Sequence, residues 1–215
     1  MGSFAINHAA LWKQLSDQIG ATYTDSPSFG ADRVEAKVDN WVITLDTFQQ
    51  PDAGFIPMVS DPTFAPAQSV YMIPYTRLRA PFANPDNLDF TIHRAGLFSG
   101  IGKALGFQDI TIGDPEFDKT FVITGNDETK IVSLLQDEHI RQLLAKQPQV
   151  FLDIRDNDGW FGPDFPADTD ELYFLTVGEI VSLDHLKELF DLFATVLHRL
   201  TEIGAASDAA PGVSV

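Results

Sequence analysis

Cysteine is absent from this chain of 215 residues. That excludes disulfides, thiol catalysis, Fe–S clusters and thiolate-held zinc. Bases are scarce. Fourteen Lys and Arg stand against 31 Asp and Glu, a formal charge of −17 at pH 7, with a pI near 4.4. Phosphate backbones repel such a chain, so no nucleic-acid partner is expected. No apolar run reaches the roughly 18 residues of a membrane span. The N-terminus lacks a basic region followed by an apolar core, so no secretory signal is expected. Ile6 stands where a myristoylation signal carries Ser or Thr.

What is present is the composition of a globular chain. Hydrophobic residues make up 44%, with 17 Phe and 3 Trp, which rules out disorder over the whole length. At this size the chain predicts a single domain over 1–204. Leu11, Trp12, Leu15 and Ile19 form one apolar stripe, predicting a helix over 7–19. The best helix is the last, 183–203, where Leu186, Leu189, Phe193, Val196, Leu197 and Leu200 recur at three and four behind a Ser182 cap. Residues 33–38 and 41–45 alternate in polarity around Asp39-Asn40, predicting a hairpin. Further strands are expected at 70–79, 88–94, 109–112, 117–124, 150–154 and 172–180. Helical spacing recurs at 97–105 and, in two pieces, from Ile131 to Leu144. Pro-rich loops are expected at 49–69 and 161–169, and a disordered tail at 205–215. Alternating strands beside 3.6-period helices give an α+β class with antiparallel sheet. A faint parallel between the turns Val38-Asp39-Asn40-Trp41 and Asp156-Asn157-Asp158-Gly159-Trp160 suggests halves at 1–106 and 107–204.

Several catalytic signatures fail. Gly96, Gly100 and Gly102 resemble the cofactor loop of short-chain dehydrogenases, but the strand before them alternates and no Tyr-x-x-x-Lys pair follows. The same stretch lacks the first Gly and the Ser or Thr of a phosphate loop. Six aspartates from Asp153 to Asp170 invite calcium, yet Ile154 and Phe165 fall where an EF-hand needs its first and last ligands. No H-E-x-x-H or G-x-S-x-G occurs. No metal, cofactor or catalytic residue is expected, and an enzyme reading is the weaker one.

Charge is uneven. Residues 71–103 hold Arg77, Arg79, Arg94 and Lys103 against two acids, while 151–191 hold eleven acids against two bases. Tyr75, Arg77 and Arg79 share one strand face, since side chains alternate. Such a pair suits a carboxylate or phosphate. Its alternative is pairing with the protein's own carboxylates across the sheet or across the two halves. The candidate anion site is therefore Tyr75, Arg77 and Arg79.

Four further strings stand out: Glu116-Phe117-Asp118-Lys119-Thr120-Phe121-Val122, Gly125-Asn126-Asp127, Ile140-Arg141-Gln142-Leu143-Leu144 and Asp158-Gly159-Trp160-Phe161-Gly162-Pro163. In their order and spacing residues 116–204 resemble an uncharacterised family of soluble bacterial proteins, many of them cyanobacterial. The resemblance extends to Tyr75-Thr76-Arg77 and Trp12. It implies a bacterial, cytoplasmic origin and no particular activity. The functional expectation is a non-catalytic protein that binds a small anionic ligand or a protein partner. An enzyme of unrecognised type acting on a small anionic substrate is the alternative. A structural subunit forming a homodimer through the last helix is a third.

Overall fold

A computed structural model describes residues 8–25, 32–51, 72–96, 109–156, 165–213 and 215. The elements run α1 (His8–Ile19), β1 (Thr22–Thr24), β2 (Arg33–Val38), β3 (Trp41–Pro51), β4 (Met72–Ala83), β5 (Phe90–Arg94), α2 (Pro115–Thr120), β6 (Phe121–Gly125), α3 (Glu128–Leu135), α4 (Glu138–Lys146), β7 (Phe151–Arg155), β8 (Thr169–Val177) and α5 (Leu183–Glu202). The strands form one sheet of eight in the order β1-β2-β3-β4-β8-β7-β5-β6. Every ladder in it is antiparallel. The class is α+β, as the alternation predicts.

Register makes the two faces unlike. One row crosses all eight strands through Tyr23, Val34, Leu45, Leu78, Phe174, Leu152, Ile92 and Ile123. All but Tyr23 are fully buried. Helix α5 lies over this row, contacting β4 and the helices α1, α3 and α4. Its stripe Leu186, Leu189, Phe193, Val196, Leu197 and Leu200 has no exposed surface. Burial of that apolar area is the main stabilising contribution, at roughly 1.5–3 kcal/mol per large side chain.

The expected halves share this sheet and one core. Strand β4 pairs with β8, and β5 lies between β7 and β6. Some expectations are corrected. Residues 117–120 are helix, because Asp114 caps α2 by accepting from the Glu116 and Phe117 N–H groups and Pro115 opens it. Residues 109–112 form no strand, although the Ile110 N–H still donates to Ile123 O at 2.8 Å. The expected tail is docked on the fold: Ala205 is fully buried, Ser207 bridges to Ala83, and Asn40 Nδ2 donates to Asp208 O at 2.6 Å. The short helix expected at 97–105, most of the loop expected at 49–69, and Trp160 and Phe161 lie outside the described residues.

Candidate functional site

The face of the sheet opposite the helices is polar. Its middle row reads Thr24, Arg33, Asp46, Arg77, Leu175, Phe151, His93, Val122. The next reads Thr22, Glu35, Thr44, Arg79, Tyr173, Asp153, Thr91, Thr124. Glu171, between Pro81 and Arg155, and Lys37 complete the charged set. Among the described residues five bases face four acids here, a net +1 within a chain of −17. Of the positive stretch in the sequence, Arg77 and Arg79 lie on this face, joined there by Arg33, Lys37 and Arg155 from other strands. Arg94 points to the other face of the sheet, and Lys103 lies outside the described residues.

The sequence-predicted trio sits together on this face. Arg77 forks onto Asp46, with Nε to Oδ1 and Nη2 to Oδ2 both at 2.8 Å. Arg79 Nη2 donates to the same Asp46 Oδ2 at 3.1 Å. Burial alone would pull the Arg77 guanidinium down. The Asp46 carboxylate, and secondarily the Tyr173 phenol, hold it above its usual range instead. Tyr75 stacks on Phe48 with ring centres 5.3 Å apart, and the Arg77 guanidinium lies 4.9 Å above the same Phe48 ring. At the far end Arg155 donates to Asp153 at 2.8 Å and lies 3.4 Å above the Tyr173 ring. The face therefore alternates guanidinium, carboxylate and aromatic ring. Asp46, Tyr173, Asp153 and Arg155 are the members that sequence reasoning missed. Only the register of β3, β7 and β8 against β4 brings them there.

The acid cluster in the chain's second half divides. Asp153 belongs to the charged face. Asp170 accepts from Asn84 Nδ2 at 2.5 Å, and burial raises its carboxyl, as it does that of Asp89. No group of three or more His, Asp or Glu placed to hold a metal ion occurs among the described residues. Asp158 and Asp164 lie outside them.

The strings carrying the family resemblance do structural work where they are described. A Cβ on Gly125 would lie 2.3 Å from Ile131 Cδ1 and 2.4 Å from the Asp89 carbonyl oxygen, so only glycine fits. Asn126 accepts from the Asp89 N–H and donates to Asn87 O, fixing the entry to β5. Asp127 caps α3 by accepting from the Lys130 N–H. Asp118 accepts from the Ile112 and Gly113 N–H groups. Between α2 and α4 these strings also frame a cleft of about 430 Å³, lined by Arg94, Glu116, Phe117, Phe121, Glu138 and Arg141 among others.

No protein-family model matches the chain. No curated protein matches it. Among solved structures it is similar to the crystal structure of the mycobacterial trehalose monomycolate transport factor A, TtfA, with a TM-score of 0.44 and 8% identity over 91% of this chain and 93% of that one. No helix among the described residues is long and apolar enough to cross a membrane.

Proposed function

We propose that this chain is a non-catalytic binding protein that holds an anionic group of its ligand or partner against Tyr75, Arg77 and Arg79. The observation that carries this is the convergence of two guanidiniums, two residues apart on β4, on one carboxylate. Asp46 occupies the position an incoming carboxylate or phosphate oxygen would take. Planar forks suit oxyanions, and the charged face is locally positive in a strongly acidic chain. Tyr75 and Phe48 supply a stacked aromatic wall beside it. In this reading the protein belongs with the uncharacterised bacterial family that residues 116–204 resemble, and acts in the cytoplasm.

The test is a melting-shift titration at low ionic strength with inorganic phosphate, citrate and ATP. One of these raises the parent's melting temperature. Asp46→Asn removes the internal competitor and tightens that binding, whereas Arg77→Gln weakens it. If no anion shifts either the parent or Asp46→Asn, the two arginines serve the fold alone and the proposal falls.

A further inference from the structure

The cleft between α2 and α4 lies away from the charged face and differs from it in kind. Its floor is apolar: Phe117 and Phe121 stack with ring centres 4.5 Å apart. Its walls carry charges of both signs. Arg94 reaches it from β5, held by Nε donating to Gln147 O at 2.7 Å and Nη2 to Ala145 O at 2.6 Å. Its guanidinium lies 5.1 Å above the Phe121 ring. Arg141 comes from α4, with Nη1 donating to Leu135 O at 2.6 Å and Nε 3.7 Å from Asp114. Those contacts fix both guanidiniums and leave Nη1 of Arg94 and Nη2 of Arg141 with no acceptor among the described residues. On the acidic side Glu138 accepts from Gln142 at 2.9 Å. The Glu116 carboxylate has no donor among the described residues.

The geometry points to a binding site for a free α-amino acid with an apolar side chain. Two positioned guanidiniums with unused donors match an α-carboxylate. Glu116 and Glu138 match an α-ammonium, and the two phenyl rings match an apolar side chain. The volume is that of a small-molecule site. A lone anion would meet Asp114, Glu116 and Glu138 as well as the arginines, and a lone cation would meet Arg94. A zwitterion satisfies both signs and, being neutral overall, is not repelled by a chain of −17. This site shares no residue with the charged face, so either reading can fail without the other.

Calorimetric titration with L-phenylalanine tests it, alongside N-acetyl-L-phenylalanine and L-phenylalanine amide, which each lack one charge. L-Phenylalanine binds saturably, and each blocked compound binds at least about tenfold more weakly. Glu116→Gln, at an exposed side chain that the fold does not use, weakens L-phenylalanine by a similar factor and leaves the melting temperature unchanged. Arg141→Gln weakens it too, and it weakens N-acetyl-L-phenylalanine, which keeps the carboxylate, more than L-phenylalanine amide, which lacks it. The inference is overturned if L-phenylalanine gives no saturable binding up to about 10 mM. It is overturned equally if the blocked compounds bind as well as the free amino acid, or if Glu116→Gln binds like the parent.

Discussion

Val34, Leu45, Leu78, Phe174, Leu152 and Ile92 lie on the same strands as Arg33, Asp46, Arg77, Leu175, Phe151 and His93, one residue away along each. The first row is closed over by α5 and needs no particular partner. Dispersion and water exclusion act between any apolar neighbours. The second row works only pairwise. Arg77 needs Asp46 opposite it, Arg79 reaches the same carboxylate diagonally from the neighbouring row, and Arg155 needs Asp153 and the Tyr173 ring. A slip of one residue would exchange the two rows, so together they specify register more sharply than either does alone. Apolar side chains of equal volume often match or exceed a buried ion pair in stability. A charged sheet face that contributes little net stability accords with a role in binding.

The apolar side breaks first and hardest. Phe193 sits mid-stripe on α5 with no exposed surface. Phe193→Ala is expected to cost about 3–5 kcal/mol, near the whole stability of many domains. Urea denaturation checks it. A midpoint close to the parent's would mean that α5 does not close the core.

The charged side breaks next. Asp46→Ala leaves two guanidiniums without their shared carboxylate while Asp46 and Arg79 are more than nine-tenths buried. The expected loss is about 2–4 kcal/mol, since an uncompensated buried charge costs more than a lost hydrogen bond. Replacing Asp46, Arg77 and Arg79 together by apolar residues should recover much of that loss. A triple variant no more stable than Asp46→Ala would show that the cost was not electrostatic.

Gly125→Ala sharpens the comparison at the seam where β6 hands over to α3. The added methyl must displace either the Ile131 side chain or the Asp89 backbone. About 1–3 kcal/mol is expected from such overpacking. Combining it with Ile131→Val should recover part of that loss if the side chain is what gives way. No recovery assigns the strain to the Asp89 carbonyl.

How much of this the sequence displayed follows the same division. The stripes of α1 and α5 and the hairpin Arg33–Val38 and Trp41–Leu45 are local patterns, and their periods expose them directly. Helix α2 was hidden because Phe117-Asp118-Lys119-Thr120-Phe121 reads as an alternating strand. Strand β1 is three residues long, too short for any period to register. Tyr75, Arg77 and Arg79 were legible as one face of a strand. Their partner was not, because Asp46 lies 31 residues from Arg77 and only the β3–β4 register selects it among so many acids. Docking of residues 205–208 was likewise invisible, since small residues reveal nothing about what they pack against.

The smallest expected effect concerns a polar group inside the helical layer. His185 lies in the first turn of α5, and its Nε2–H donates to Gln147 Oε1. Burial lowers its pKa from the ordinary 6.5, and nearby Glu188 only partly offsets that. The folded state therefore prefers the neutral ring, while the unfolded chain takes up a proton near the ordinary value. Stability from this group is fully present above that value. It is lost as pH falls through the window between the unfolded and folded pKa values. Asp89 and Asp170 act with the opposite sign. Burial raises their carboxyls, so their contribution is lost as pH rises through their folded values. Opposed limbs flatten the parent's profile, and a single melting curve against pH cannot separate them. The difference between parent and His185→Gln can, because the aspartates are common to both. Glutamine keeps a side-chain donor toward Gln147 and cannot titrate. The parent's melting temperature should fall relative to the variant's as pH drops from about 7.5 to about 5. A difference that stays constant over that range would mean that folding does not perturb His185, and that its contact with Gln147 is made without loss of hydration.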